Sequence, residues 1–275
     1  MSTKNNTEIE TYANEQYSKL LLSTKLGLLT LLNGKKWMIY VFLAILPILI
    51  SWVSKDYLFG NEDAETAFVD VYIGFFFIFM FPFGAMLISL PVSSDEISDN
   101  IIDLYLVRPI RRDVYWTSRW ISVNIGVNII NAGIVTFYWI YFNLIENGSD
   151  DIPLGIAHIF SDIFIYFKML YLIFWGAMVY SGLFLLIGSI GSRGFTIGMM
   201  VALLETFFVS LLFLSGSAYI PRTHLNNLSY DIFKREQLRD LTTDFSMTYA
   251  YGYLISFALI FYLMGIWYFK RKEFN

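Results

Sequence analysis

Cysteine is absent from this 275-residue chain, and histidine occurs only at His158 and His224. Without thiols there are no disulfide frameworks, zinc–thiolate sites, iron–sulfur clusters or cysteine nucleophiles. Two histidines are too few for a histidine metal cage, so no metal and no cofactor is expected in the chain. Charge is the second shortage. Only 15% of residues are charged and 56% are hydrophobic, whereas a soluble domain carries about 25% charged residues. The 19 Lys/Arg and 23 Asp/Glu cannot cover a soluble surface of this size. That argues against a soluble enzyme, a nucleic-acid binder and a disordered regulator. An all-α integral membrane protein is expected.

The charges leave long gaps at Trp37–Ser54, Val71–Ser94, Trp120–Ile145, Met169–Ser192 and Ser246–Phe269, and Gly194–Pro221 is interrupted only by Glu205. About 20 apolar residues of helix cross a bilayer core, and helices satisfy their own backbone hydrogen bonds there. Six transmembrane helices are therefore expected, near 37–54, 70–92, 119–145, 167–190, 195–215 and 248–269, forming one domain over 37–275. Thirteen of the 19 basic residues fall on the segments that face inside if the N-terminus is inside. By the positive-inside rule both termini are cytoplasmic, in a multi-pass protein of the plasma membrane.

Residues 1–36 form a cytoplasmic N-terminus. Tyr17, Leu20, Leu21, Leu28, Leu31 and Leu32 make a helical stripe there, with Lys19, Ser23 and Asn33 toward another face. The pattern suits an amphipathic helix lying on the inner membrane surface, or a helix packed on a soluble partner. Pro47 and Pro82 are expected to kink the first two spans. Gly176, Gly182 and Gly188 should permit close packing of the fourth span.

One inside loop is long: SSDEISDNIIDLYLVRPIRRDVYWTSRW, Ser93–Trp120. Ser93 or Ser94 can cap a helix that places Asp95 and Glu96 at its positive end. Asp99 and Asp103 add charge, and Ile97, Ile101 and Leu104 share a face. Pro109 stops that helix, and Arg111, Arg112 and Arg119 follow. The arrangement suits docking onto another protein; a solvated loop whose arginines only anchor the next span has the same charges.

This loop resembles the signature of ABC type 2 permeases. Glu96 matches the family's acid, Leu104–Leu106 its apolar run, Pro109 its proline, Arg112 its arginine and Arg119 its later basic residue. Asn100-Ile101 stands where the family has Gly-Thr. The nearest likeness within the family is to permeases linked to maturation of copper enzymes. The resemblance implies a permease subunit of an ATP-driven exporter, paired with a second copy or paralogue. ATP and Mg would sit on a separate ABC ATPase subunit at the cytoplasmic face. The segment Asp95–Leu106 would be the coupling helix between spans two and three, and the arginines would anchor it to the ATPase or to lipid phosphates. The chain has no phosphate-binding loop of its own and no catalytic constellation within its spans, so it is not expected to be an enzyme. A non-transporting scaffold or sensor using the same fold is the alternative.

Glu205 is the only ionisable residue deep in a span, and a charge there costs at least about 2.5–3.5 kcal/mol. It is a candidate for the translocation path, or a neutral Glu bonded between helices. Asn124, Asn128 and Asn131 share one face of span three and either line a path or glue helices. Outside, residues 216–247 are expected to carry a surface helix near Leu228–Leu241, suited to capping the exit or meeting an external partner. Its charges, Asp231, Lys234, Arg235, Glu236 and Arg239, argue against deep re-entry.

Overall fold

The computed structural model describes residues 2–53, 69, 75–77, 80–98, 111–146, 160, 163–191, 193–205, 220–234 and 246–271. Among these every regular element is helical: α1 Ser2–Asn33, α2 Lys36–Val53, α3 Phe81–Ser98, α4 Arg112–Tyr141, α5 Ile163–Gly188, α6 Gly194–Leu203, α7 Pro221–Phe233 and α8 Met247–Arg271. A π-helical turn, Phe142–Glu146, extends α4. Four of the apolar helices are long enough to cross a membrane, those of the runs Phe75–Ile97, Arg112–Leu144, Ile163–Gly188 and Met247–Arg271. A fifth crossing results if α1 and α2, which meet at 58°, count as one bent segment.

The bundle has an apolar core, yet it also leaves many large apolar side chains on its outside and buries several charged and polar ones. Ile125, Ile129, Phe137 and Ile140 of α4, Phe164, Phe167 and Phe174 of α5, and Ile255, Leu259, Leu263 and Trp267 of α8 point outward. Glu96, Arg119, Asn131, Glu205, Arg222 and His224 are buried. Large apolar side chains are stable on an outer surface of this extent where the surroundings are themselves apolar, which suggests a membrane protein.

Contacts along the helices fix their directions. On α4, Ser118, Gly126, Asn131 and Tyr138 meet Ser23, Leu31, Tyr40 and Ala44 in rising order, so α1 and α2 run with α4. Phe76 packs on Tyr138 while Glu96 meets Arg119, so α3 runs against α4. Arg112 reaches the carbonyls of Phe269 and Lys270, and Trp120 packs on Tyr262, so α8 also opposes α4. Tyr171 meets Tyr251 and Tyr268 meets Ser189, so α5 and α8 run together. This alternation is that of a chain threaded back and forth. One end of the bundle gathers Arg111, Arg112, Arg119, Lys270 and Arg271.

Glycines and aromatic rings bring the helices close. Phe81 lies edge-on to Phe76 and to Tyr180, at centroid distances of 6.4 and 6.0 Å, and a methyl group at Gly176 would stand 2.7 Å from its ring. At Gly188 a methyl would meet Ser93 Oγ and lie 2.6 Å from the Leu90 carbonyl, so this glycine sets how near α5 comes to α3. Gly265 of α8 lies directly on the buried Trp116 ring. Overpacking of this kind typically costs about 1–3 kcal/mol. Gly265→Ala is therefore expected to lower the unfolding midpoint in detergent, read by tryptophan fluorescence, whereas Gly133→Ala, which has open space around it, should leave it in place.

Several local expectations are corrected. Ser93 and Ser94 do not begin a helix; they lie inside α3, which runs unbroken through Pro91 to Ser98. Ser93 Oγ instead donates to the Leu185 carbonyl at 2.8 Å, a tie between α3 and α5. Asp95 and Glu96 thus lie within a helix already under way, near the last of its described residues. Pro82 lies within the helical run Phe75–Ile97, directly after π-helical residues at Phe75–Phe77 and Met80. In the N-terminal helix the expected stripe divides. Its polar and small residues, Ser23 and Gly27, face the protein with Leu31, while Tyr17, Leu21, Leu22, Leu29 and Leu32 face out. It packs lengthwise along α4, with its leucines toward the surroundings and its small residues on the neighbouring helix, as membrane helices pack.

Candidate functional site

The basic end of the bundle holds the most connected group of polar side chains. Glu96 is the third-last described residue of α3 and Arg119 lies two turns into α4, so they flank the segment 99–110. Their side chains are 4% and 1% exposed. Arg119 Nε donates to Glu96 Oε2 at 2.9 Å, and its terminal nitrogen lies 2.8 Å from Oε1. This is the two-pronged guanidinium–carboxylate geometry. The Tyr115 hydroxyl donates to the same carboxylate, and the Tyr115 ring lies 4.9 Å from the guanidinium carbon. The third guanidinium nitrogen donates to the Ser23 carbonyl of α1 at 2.8 Å. Beside it Ser23 and Ser118 share a hydrogen bond of 2.7 Å, and Ser122 donates to the Thr24 carbonyl at 2.8 Å. Removing one member of a buried pair of this kind leaves the other charge uncompensated in the interior, which is strongly destabilising.

The other expected coupling residues divide. Asp95 is half-exposed and pairs with Lys36, at the start of α2, at 2.8 Å. Arg111, in extended backbone just before α4, pairs with Asp113 at 2.7 Å. Arg112 places its guanidinium on the last carbonyls of α8, where a cation suits the negative helix end. Asp99, Ile101, Asp103, Leu104 and Pro109 lie outside the described residues. Glu96 and Arg119 are thus brought together, but inside the protein. Both side chains are occupied within the protein rather than presented on its surface.

A second polar group lies within the bundle. α6 opens into a π-helical turn at Leu204–Glu205, and the freed Glu205 carbonyl accepts a hydrogen bond from Arg222 at 2.9 Å. The Glu205 carboxylate accepts one from the Tyr180 hydroxyl of α5 at 2.5 Å. Arg222 belongs to α7, and this corrects the surface helix expected at Leu228–Leu241. Pro221, a favoured first residue, starts the helix earlier. Pro221–Ser229 is buried throughout, and Lys234, in left-handed backbone with φ 55°, ends it. The charges that argued against insertion, Asp231 and Lys234, sit at the far end, where Lys168 of α5 lies 5.9 Å from the Phe233 ring. His224, expected outside, is fully buried and stacks on Tyr253 at 4.2 Å.

Of the asparagine stripe, Asn131 reaches α2. Asn131 accepts from the Tyr40 hydroxyl and donates to the Val127 carbonyl at 2.7 Å, while Asn128 donates to the Asn124 carbonyl at 2.8 Å. Sequence reasoning missed Tyr40, Tyr115, Tyr180, Ser23 and Arg222 as partners. A tyrosine in a chain this rich in aromatics carries no local signal of what its hydroxyl meets. Among the described residues no three His, Asp or Glu converge as a metal site requires. No family model, curated protein or solved structure matches this chain.

Proposed function

We propose that the chain is the transmembrane permease subunit of an ATP-driven ABC exporter. On this reading the membrane is the plasma membrane, both termini are cytoplasmic and six helices span. α6 belongs to the fifth span. The chain pairs with a second copy or paralogue, and a separate ATPase subunit, carrying ATP and Mg, docks on the inside loop. The observation that carries the reading is the mounting of that loop. Its two ends are clamped to each other by the buried Glu96–Arg119 pair, its later base is tied to α8 by Arg112, and its earlier base to α2 by Asp95. A loop mounted on three helices at once delivers a push to the whole bundle, which is what a docking element for a motor requires. The alternation of helix directions and the gathering of basic residues at one end support the same reading.

The test is purification of a tagged chain from its native membrane. An ABC ATPase is expected to co-purify, and Asp103→Lys or Arg111→Glu should release it or lower its turnover several-fold while the unfolding midpoint of the chain is kept. Recovery of a monomer with no ATPase would overturn the permease reading and favour a scaffold or sensor.

A further inference from the structure

A cleft opens in the crook between α1 and α2. α1 ends at Asn33, the chain bends by 58°, and α2 begins at Lys36. α3 passes beside the bend and supplies a third wall, leaving a cavity of about 110 Å³ that is open on one side. Leu31, Ile88 and Val92 are buried there and Leu87 and Pro91 partly so, which makes the floor apolar. Lys35, Lys36 and Asp95 are exposed and form the rim.

The two lysines differ. Lys36 is neutralised by Asp95 at 2.8 Å. Among the described residues Lys35 makes no ion pair, so the rim carries one uncompensated positive charge. Trp37 stands beside them, partly buried against the core, and its indole N–H donates to the Leu32 carbonyl at 2.9 Å. Tryptophan held half in and half out of an apolar core is the residue that marks the level of lipid headgroups. Past the rim, α2 turns Met38, Ile39 and Phe42 outward, so an acyl chain leaving the cleft would continue over an apolar surface. The cleft also belongs to the basic end of the bundle, since Lys36 reaches Asp95, the neighbour of the Glu96 that Arg119 holds.

We propose that this cleft binds one anionic phospholipid, with the lipid phosphate against the Lys35 ammonium and the first carbons of an acyl chain on the Leu87–Val92 face of α3. The charge of the rim and the apolar floor together match a molecule with an anionic head and a hydrocarbon tail; basic pockets between helices on the inner side of a membrane take such headgroups. The cavity has room for a headgroup or the start of a chain, not for a whole lipid, so the remainder of the molecule stays in the bilayer. The inference needs the bundle to sit in a membrane but not to be a permease, and its test contains no ATPase.

The full chain, purified in detergent and stripped of lipid, is titrated with phosphatidylglycerol or phosphatidylcholine, and bound lipids are counted by native mass spectrometry. One phosphatidylglycerol per chain is expected to bind several-fold more tightly than phosphatidylcholine. Lys35→Ala should weaken it roughly fivefold, the worth of one lysine near an anionic lipid surface, and leave phosphatidylcholine unaffected. Lys35→Arg should keep the native affinity. Thr30→Trp, which carries no charge and crowds the cleft from its lining, should weaken phosphatidylglycerol at least as much. Lys35 and Thr30 are both exposed, so both variants should keep the native unfolding midpoint. Lys25→Ala removes the same charge from an exposed position of α1 that does not line the cleft, and should change nothing. Equal binding of the two lipids overturns the inference, as does native affinity in Thr30→Trp. Equal losses in Lys25→Ala and Lys35→Ala would mean diffuse surface charge rather than a site. Displacement of the lipid by glycerol 3-phosphate at comparable concentration would assign the cleft to a soluble phosphate ester instead.

Discussion

Arg119→Ala is expected to be among the most damaging single changes in the chain, lowering stability by about 3–5 kcal/mol, the range for breaking a buried ion pair. Whole domains are stable by only about 5–15 kcal/mol, so the variant should unfold early in detergent or fail to accumulate. The change strips three acceptors at once: both carboxylate oxygens of Glu96 and the Ser23 carbonyl. Glu96 is left 3% exposed, with the Tyr115 hydroxyl still donating to it, and loses the guanidinium that neutralised it. Glu96→Met with Arg119→Met should recover most of the loss, because replacing both members of a buried pair by apolar residues is often neutral. Unfolding midpoints of the two singles and the double decide the matter. A single variant as stable as the native chain would mean that the pair does not hold the loop base.

Glu205 gives the second large effect, and here the replacement residue matters. Its carboxylate accepts from Tyr180, whereas Arg222 is bound to its backbone carbonyl. Glu205→Gln keeps an acceptor for the tyrosine and leaves the arginine contact untouched, so the fold should persist with an unchanged midpoint. Glu205→Leu removes the acceptor and leaves the wholly buried Tyr180 hydroxyl without it, at a cost of about 1–3 kcal/mol. If the carboxylate serves transport, Glu205→Gln should also slow ATP turnover by the partner ATPase roughly tenfold, a change of about 1.4 kcal/mol in the barrier. Native turnover in a stable Glu205→Gln variant would confine the residue to joining α5, α6 and α7.

What could be read beforehand was whatever repeats over a long stretch. Charge-free gaps located α3, α4, α5 and α8 because hydrophobic length is a property of a whole segment. Gly176 and Gly188 were legible as close-approach points, as small residues in an apolar helix have few other uses. The leucine stripe of α1 was legible as a stripe, and Tyr17, Leu21 and Leu32 do face out; that Leu31 turns inward beside Ser23 and Gly27 was not, because small residues make the tighter seat between helices. The Glu96–Arg119 pair was not legible as a pair. Its members lie 23 residues apart across a loop, and each alone looks like a surface charge. α7 was hidden for a different reason: its charges cluster at one end, and a composition average hides that its first nine residues are buried.

The seat of α1 also sets an order of events in time. Ser23 bonds to Ser118, 95 residues later in the chain. At about 5–20 residues per second of synthesis, α1 leaves the ribosome roughly 5–20 s before the helix it rests on exists. Throughout that interval its serine, glycine and leucine face has nothing to pack against, while its outward leucines can already enter the membrane surface. An apolar surface is then a waiting place for α1, and α4, arriving with Arg119, captures a helix that is already beside it.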